Sequence, residues 1–120
     1  MTNKPPVFVD YTSTFRKNLK RLRKKYPHIR NDIEPLIAQL QNGEIPGDRI
    51  PGTGHPVYKV RLPNRDAQRG KSGGYRVIYY VRTAQQVILL TIYTKSERAD
   101  IDSGEIQNIV DDLSNGDTET

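Results

Sequence analysis

Six cationic side chains fall between Lys59 and Arg76, set against a single acid, Asp66. Lys59, Arg61 and Arg76 sit in runs of strand character, VYKVRL and GYRVIYYV, while Arg65, Arg69 and Lys71 occupy the polar stretch between them. Strand alternation puts Lys59 and Arg61 on one face and Tyr58, Val60 and Leu62 on the other. Like charges this close repel, and partial burial adds a desolvation cost, so the cluster makes physical sense around an anion. Tyr80, which shares the face of Arg76 by alternation, and Tyr93 and Lys95 in the following segment extend the set. Phosphate oxygens take fixed N–H donors, which arginine supplies as a planar fork. Tyrosine rings offer stacking surfaces to unpaired bases. Such a face suits single-stranded RNA and the chemistry of cleaving it without a metal. The substrate's 2′-hydroxyl attacks the adjacent phosphorus, a lysine or tyrosine takes or relays the proton, and arginines stabilise the charge on the phosphoryl oxygens. Lysine and tyrosine titrate near about 10 when unperturbed, and crowding among Arg61, Arg76 and Lys95 is expected to bring a lysine's value down.

Other chemistries find little support. The two histidines, His28 and His55, have no carboxylate partner at ligand spacing, and the chain has no cysteine, which excludes disulfides and thiolate metal sites. No metal and no cofactor are expected. Gly70, Gly73 and Gly74 precede a strand rather than a helix, so they are not a phosphate-binding glycine loop. Their expected task is backbone freedom in a flexible loop, which would let Lys71 fold over a substrate.

A chain of 120 residues makes one domain, here assigned to residues 1–113, with 114–120 expected as a disordered tail. Apolar residues make up only 34%, so the core must come from a few concentrated segments. No apolar run approaches the roughly 20 residues of a membrane span, and MTNKPPVFVDY has no secretory apolar stretch. A cytoplasmic protein with no membrane partner is expected. The net charge of +5 hides a strong asymmetry. Eight basic residues and no acid lie between Tyr11 and Asn31, Lys20 and Lys24 among them, while the C-terminal part is acidic from Glu97 onward. A polyanion or an acidic protein fits the basic part.

The elements that must hold these groups can be read in order. VFVDY is a short strand after the Pro5-Pro6 break. Phe15, Leu19, Leu22 and Tyr26 form one stripe of a helix over 14–26, capped by Thr12, Ser13 or Thr14 and stopped by Pro27. A second helix spans about 28–41, although Pro35 favours a start near Asp32. The stretch NGEIPGDRIPGTGHP reads as turns throughout. Strands follow at 57–62, 75–81 and 86–94, the last apolar enough to be central and buried on both faces. Asp102 or Ser103 caps a final helix with Ile106, Ile109, Val110 and Leu113. The order β-α-α-β-β-β-α predicts an α+β domain, an antiparallel sheet with its helices packed on one face.

The segments YKVRL, GGYRVIYYV and VILLTIYTKSERADI resemble the RelE/ParE superfamily of type II toxins. The long loop ending GKSGGYRVIYY and the LLTIYTKSERAD segment look most like the HigB-type branch. The resemblance implies a microbial-ribonuclease-like sheet with two N-terminal helices on one face. It also implies a ribosome-dependent mRNA endonuclease, working on mRNA in the ribosomal A site and held inactive by a cognate antitoxin. Carried over by position, the family's basic pair falls on Lys59 and Arg61, its G-Y-R arginine on Arg76 and its post-strand lysine on Lys95. The chain departs from RelE itself at Ser96, where RelE has arginine, and at Asp102, where RelE has tyrosine. Tyr93 and Lys95, on one strand face by alternation, are the expected substitutes, giving a catalytic set of Lys59, Arg61, Arg76, Tyr93 and Lys95. Lys71, Arg69, Arg65, Tyr80, Lys20 and Lys24 are the expected contacts to messenger or ribosomal RNA.

Blander uses of these residues have definite forms. Arg76 would pair with Glu97 or Asp100, Glu97 would pair with Arg98, and the basic run of the first helix would be a solvated face or a seat for an acidic antitoxin. Two other functions share the scaffold or the charge. A ParE-like inhibitor of DNA gyrase needs no converging cations, and a plain basic nucleic-acid-binding module would bind with a steep salt dependence and no strand scission.

Overall fold

Thr12 decides where the first helix begins. Its Oγ1 accepts the Phe15 backbone N–H at 3.0 Å and donates to the Leu90 carbonyl at 2.7 Å, so one hydroxyl both caps the helix and ties it to the central strand. The computed structural model describes residues 5–116. Along them run β1 (Phe8–Tyr11), α1 (Ser13–Lys25), α2 (Ile29–Gln41), β2 (Asp48–Arg49), β3 (Val57–Leu62), β4 (Tyr75–Thr83), β5 (Gln86–Thr94) and α3 (Ser103–Leu113). Arg23, Lys24 and Lys25 stand in the last turn of α1, where the helix dipole favours cations. Asp102 caps α3, accepting from the Gly104 N–H at 3.0 Å.

Pro35 does not delay α2, which starts at Ile29. Proline removes the hydrogen bond to the carbonyl of residue 31, and both Asn31 and Pro35 lie on the exposed side, where water can take that carbonyl.

The sheet has the order β1-β5-β4-β3-β2. It is mixed rather than wholly antiparallel, because β1 runs parallel to β5 with Phe8 opposite Gln86 and Tyr11 opposite Leu89. The expected turn region contributes β2, which pairs Asp48 with Lys59 and Arg49 with Tyr58. Gly47 makes that approach possible. Its φ is +90°, and a Cβ there would stand 2.3 Å from the Lys59 carbonyl oxygen.

Both faces of the sheet are covered. Phe15, Leu22, Ile33 and Leu36 of α1 and α2 pack on Val77 and Leu89. On the other face Ile106, Ile109 and Val110 of α3 pack on Ile78, Ile88 and Leu90. The three helices therefore do not share a face. The reason lies in β5, whose residues are apolar on both sides and buried from Val87 to Thr94. Each side chain so covered contributes roughly 1.5–3 kcal/mol, so a second cover is needed. No helix among the described residues is long and apolar enough to cross a membrane. Of the expected tail, residues 114–116 form a turn after α3, and 117–120 lie outside the described residues.

Candidate active site

Register brings the cations together. Arg61 on β3 stands opposite Arg76 on β4, and Arg76 stands opposite Tyr93 on β5. Lys59, two residues before Arg61, shares its face by alternation, as does Val57, which belongs to the core under α3. The row thus lies on the α3 side of the sheet.

Tyr93 reaches this row because of a bulge. Ile78 faces Thr91 while Tyr79 faces Leu89, so Leu90 is the extra residue in β5. Ile88 and Leu90 point to the α3 side, Ile92 to the α1–α2 side, and Tyr93 again to the α3 side. Strict alternation from Leu90 would have turned Tyr93 away from Arg76.

Arg76 is 5% exposed and makes no ion pair among the described residues. Its Nη1 donates to the carbonyls of Lys71 at 2.9 Å and Tyr75 at 3.3 Å, and Nη2 donates to the Ser72 carbonyl at 2.8 Å. Burial, then the neighbouring Arg61, press its pKa below the usual arginine value, against the opposing pull of Tyr93 and Asp100. The acids expected to pair with it go elsewhere. Glu97 takes a bidentate contact from Arg21 at 2.8 and 3.1 Å, tying α1 to the segment after β5. Asp100 takes Lys59 Nζ at 3.3 Å, and Arg98 pairs with Glu105 at 3.0 Å rather than with Glu97.

Tyr93 is 3% exposed, and its Oη has no hydrogen-bond partner among the described residues. The Arg98 guanidinium lies over its ring at 5.3 Å. Burial first, then Asp100, raise its pKa, while Arg98 and Arg76 work the other way. That direction suits a neutral O–H donor and is wrong for a general base.

At the β3 edge, Lys59, Arg61, Arg65 and Lys71 line a groove of about 590 Å³ with Asp48 and with Asp32, Pro35 and Gln39 of α2. It therefore opens on the α2 side, while Arg76 and Tyr93 belong to the α3 side. Arg61 and Lys71 are exposed, and neither side chain has an ion-pair partner among the described residues. The loop that carries Lys71 is not the free flap its glycines suggested. Asn64 and Arg69 bridge backbone to backbone at 2.8 and 2.9 Å, Arg76 holds two carbonyls near its end, and Gly74 is wedged where a Cβ would be 2.0 Å from the Leu62 oxygen. The Arg69 side chain is exposed and lies against Gly73.

The remaining candidates are spread. Lys95 follows β5, exposed, with its N–H donating to the Gly74 carbonyl at 3.0 Å. Tyr80 is half-buried on the α3 side, edge-on to His55 at 5.4 Å. Tyr79, its neighbour, is core, with its hydroxyl donating to the Pro46 carbonyl. Lys20 and Lys24 are exposed on α1 and border a different groove of about 510 Å³ with Arg23 and Arg30. That surface belongs to the helices covering the opposite face of the sheet. His28 pairs with Asp66, and no group of three potential metal ligands occurs among the described residues. Sequence reasoning missed Asp32, and it paired Arg98 with Glu97 where the structure sets it on Glu105 and over Tyr93. For Asp32 a signal was present, since an acid at that position falls on the apolar stripe of Ile29, Ile33, Leu36 and Leu40.

The family model described as "RelE toxin of RelE / RelB toxin-antitoxin system" matches residues 14–114. The chain belongs to the RelE toxin family. Its fold is also that of a free-state mutant of E. coli toxin RelE, with a TM-score of 0.53 at 20% identity over 79% of this chain and 90% of that one. In this RelE-family chain the match spans every element from α1 to α3, so the groove and the row both lie within it.

Proposed function

We propose that this RelE toxin is a ribosome-dependent endoribonuclease that cuts translated mRNA and is neutralised by a cognate antitoxin, in the cytoplasm. The observation that carries the reading is the meeting of Lys59, Arg61, Arg65 and Lys71 at one groove between β3 and α2, with Arg76 holding the Lys71 and Ser72 carbonyls of the loop that borders it. A phosphodiester lying there would meet donors from β3 and from the loop, whose backbone Arg76 holds before the substrate arrives. Its 2′-oxygen attacks phosphorus, the P–O5′ bond breaks, and a 2′,3′-cyclic phosphate and a 5′-hydroxyl result. Arg61 and Lys71 stabilise the phosphoryl oxygens, and Arg76 keeps their frame. Tyr93, neutral and with its hydroxyl buried in the free protein, donates a hydrogen bond to a phosphoryl oxygen once substrate binding opens a path to it. Lys95, in its neutral form, takes the 2′-hydroxyl proton, and the resulting ammonium returns a proton through water to the departing 5′-oxygen. The long cationic loop supports a place in the HigB-type branch.

The test is Arg61→Ala, because Arg61 is exposed and its side chain holds nothing else among the described residues. Growth arrest and translation-coupled mRNA cleavage should both be lost with the melting temperature unchanged. A folded Arg61→Ala protein that arrests growth and cuts mRNA like the parent would sink the proposal. Inhibition of gyrase supercoiling without cleavage would favour the ParE-like alternative.

A further inference from the structure

Asp32 is out of character for its place. It sits on the apolar stripe of α2 and is 2% exposed, where an uncompensated carboxylate is costly. Its Oδ2 accepts the Arg65 backbone N–H at 3.1 Å, and its Oδ1 lies 3.5 Å from Arg65 Nε. Both contacts reach the same residue of the loop between β3 and β4. One turn earlier in the chain, His28 grips the next loop residue, its N–H and Nδ1 each 2.8 Å from the Asp66 carboxylate. Arg76 holds the far end of the loop from the sheet. The loop is fastened at both ends, while Arg65 and Lys71 remain exposed along the groove that Asp32 also lines.

We infer that Asp32 is a positioning residue for RNA binding: through Arg65 it fixes the β3–β4 loop so that Arg65 and Lys71 complete, with Lys59 and Arg61, a rigid platform for a single-stranded phosphodiester backbone. The inference rests on the reading of this groove as the RNA site. Asp32 touches no phosphate, which its charge would repel. Its effect passes through backbone and guanidinium. A preorganised loop spares the complex the ordering cost that a mobile one would incur on binding.

Three proteins test it: the parent, Asp32→Asn, and His28→Ala, whose lost imidazole is 68% exposed and leaves the core intact. Arg65, Arg69 and Lys71 make the loop its own reporter, since trypsin cuts after each. In folded Asp32→Asn, tryptic cleavage within the loop should rise roughly tenfold, the scale of one lost charge-assisted hydrogen bond. Affinity for a 2′-O-methyl oligoribonucleotide, which cannot be cleaved, should fall by a similar factor at low salt. In the translation-coupled assay KM should rise more than kcat falls. A loosened loop with unchanged oligonucleotide affinity overturns the inference, as does an unchanged loop. Should Asp32→Asn fail to fold, His28→Ala decides by the same two readouts. A parent that binds the oligonucleotide but cuts no mRNA refutes the nuclease reading and leaves the positioning role standing; a parent that does not bind it at all overturns the positioning role.

Discussion

Two basic regions of this molecule use the same residue types to opposite effect. The outer face of α1, continued by Arg30, carries its cations on flexible stems in open solvent, with Lys20, Arg23 and Lys24 around a shallow groove. The sheet row and its loop fix the places from which theirs project: register sets the backbone of Arg61 opposite Arg76, Lys59 pairs with Asp100, and Arg76 is locked onto three carbonyls. Mobile charges in water attract any polyanion, and that attraction is screened over about 8–10 Å at ordinary salt. Fixed charges at a partly dry site can distinguish one arrangement of phosphate oxygens from another. Density of charge marks where nucleic acid can settle, and fixation marks where it can react.

Breaking the fixed region should have the larger consequence. Arg61→Ala is expected to lower mRNA cleavage by roughly a hundredfold or more, the scale seen when one preorganised donor is removed from a reacting oxyanion. Arg76→Ala should match that loss and also destabilise the fold by about 1–3 kcal/mol, because carbonyls at the loop end lose their donor; chemical denaturation measures the second part. Lys20→Ala with Lys24→Ala should leave single-turnover cleavage within roughly threefold and instead flatten the salt dependence of ribosome binding, by about one unit of slope per lost phosphate contact. If the α1 pair proves as damaging to the chemical step as Arg61, the contrast between the regions fails.

Smaller effects sharpen it. Tyr93→Phe removes a hydroxyl with no partner among the described residues, so stability should change by less than about 0.5 kcal/mol while cleavage falls. Equal activity would remove Tyr93 from the site. Glu97 gives a pH signature. Burial raises its pKa, but hydrogen bonds from Arg21 and the Thr94 N–H, with the charges of Arg21 and Arg98, bring it below the ordinary carboxylate value. A depressed acid stabilises the fold above its unfolded pKa, near about 4.3, and that contribution fades as pH falls through the lower folded value. Glu97→Gln should therefore flatten the acid limb of a stability-against-pH curve and leave the neutral limb level.

Much of this arrangement was legible in the residues. The helices, the three long strands and the shared face of Lys59 and Arg61 follow from periodicity, which local sterics enforce. The position of Tyr93 does not, because a bulge resets the faces of β5 and one extra residue leaves no mark in composition. The partners of Glu97 and Asp100 were also hidden. Which acid meets Arg21 or Lys59 depends on how α1 and the segment after β5 lie in space. Pro35 misled, since its cost depends on whether water reaches one carbonyl.

The parallel pairing of β1 with β5 has a consequence for the birth of the molecule. Phe8 must wait for Gln86, and Arg76 for Tyr93, so neither the sheet nor its cationic row can close on a nascent chain until β5 has left the peptide tunnel. The proposed activity is thereby withheld from the growing chain until its last strand has emerged.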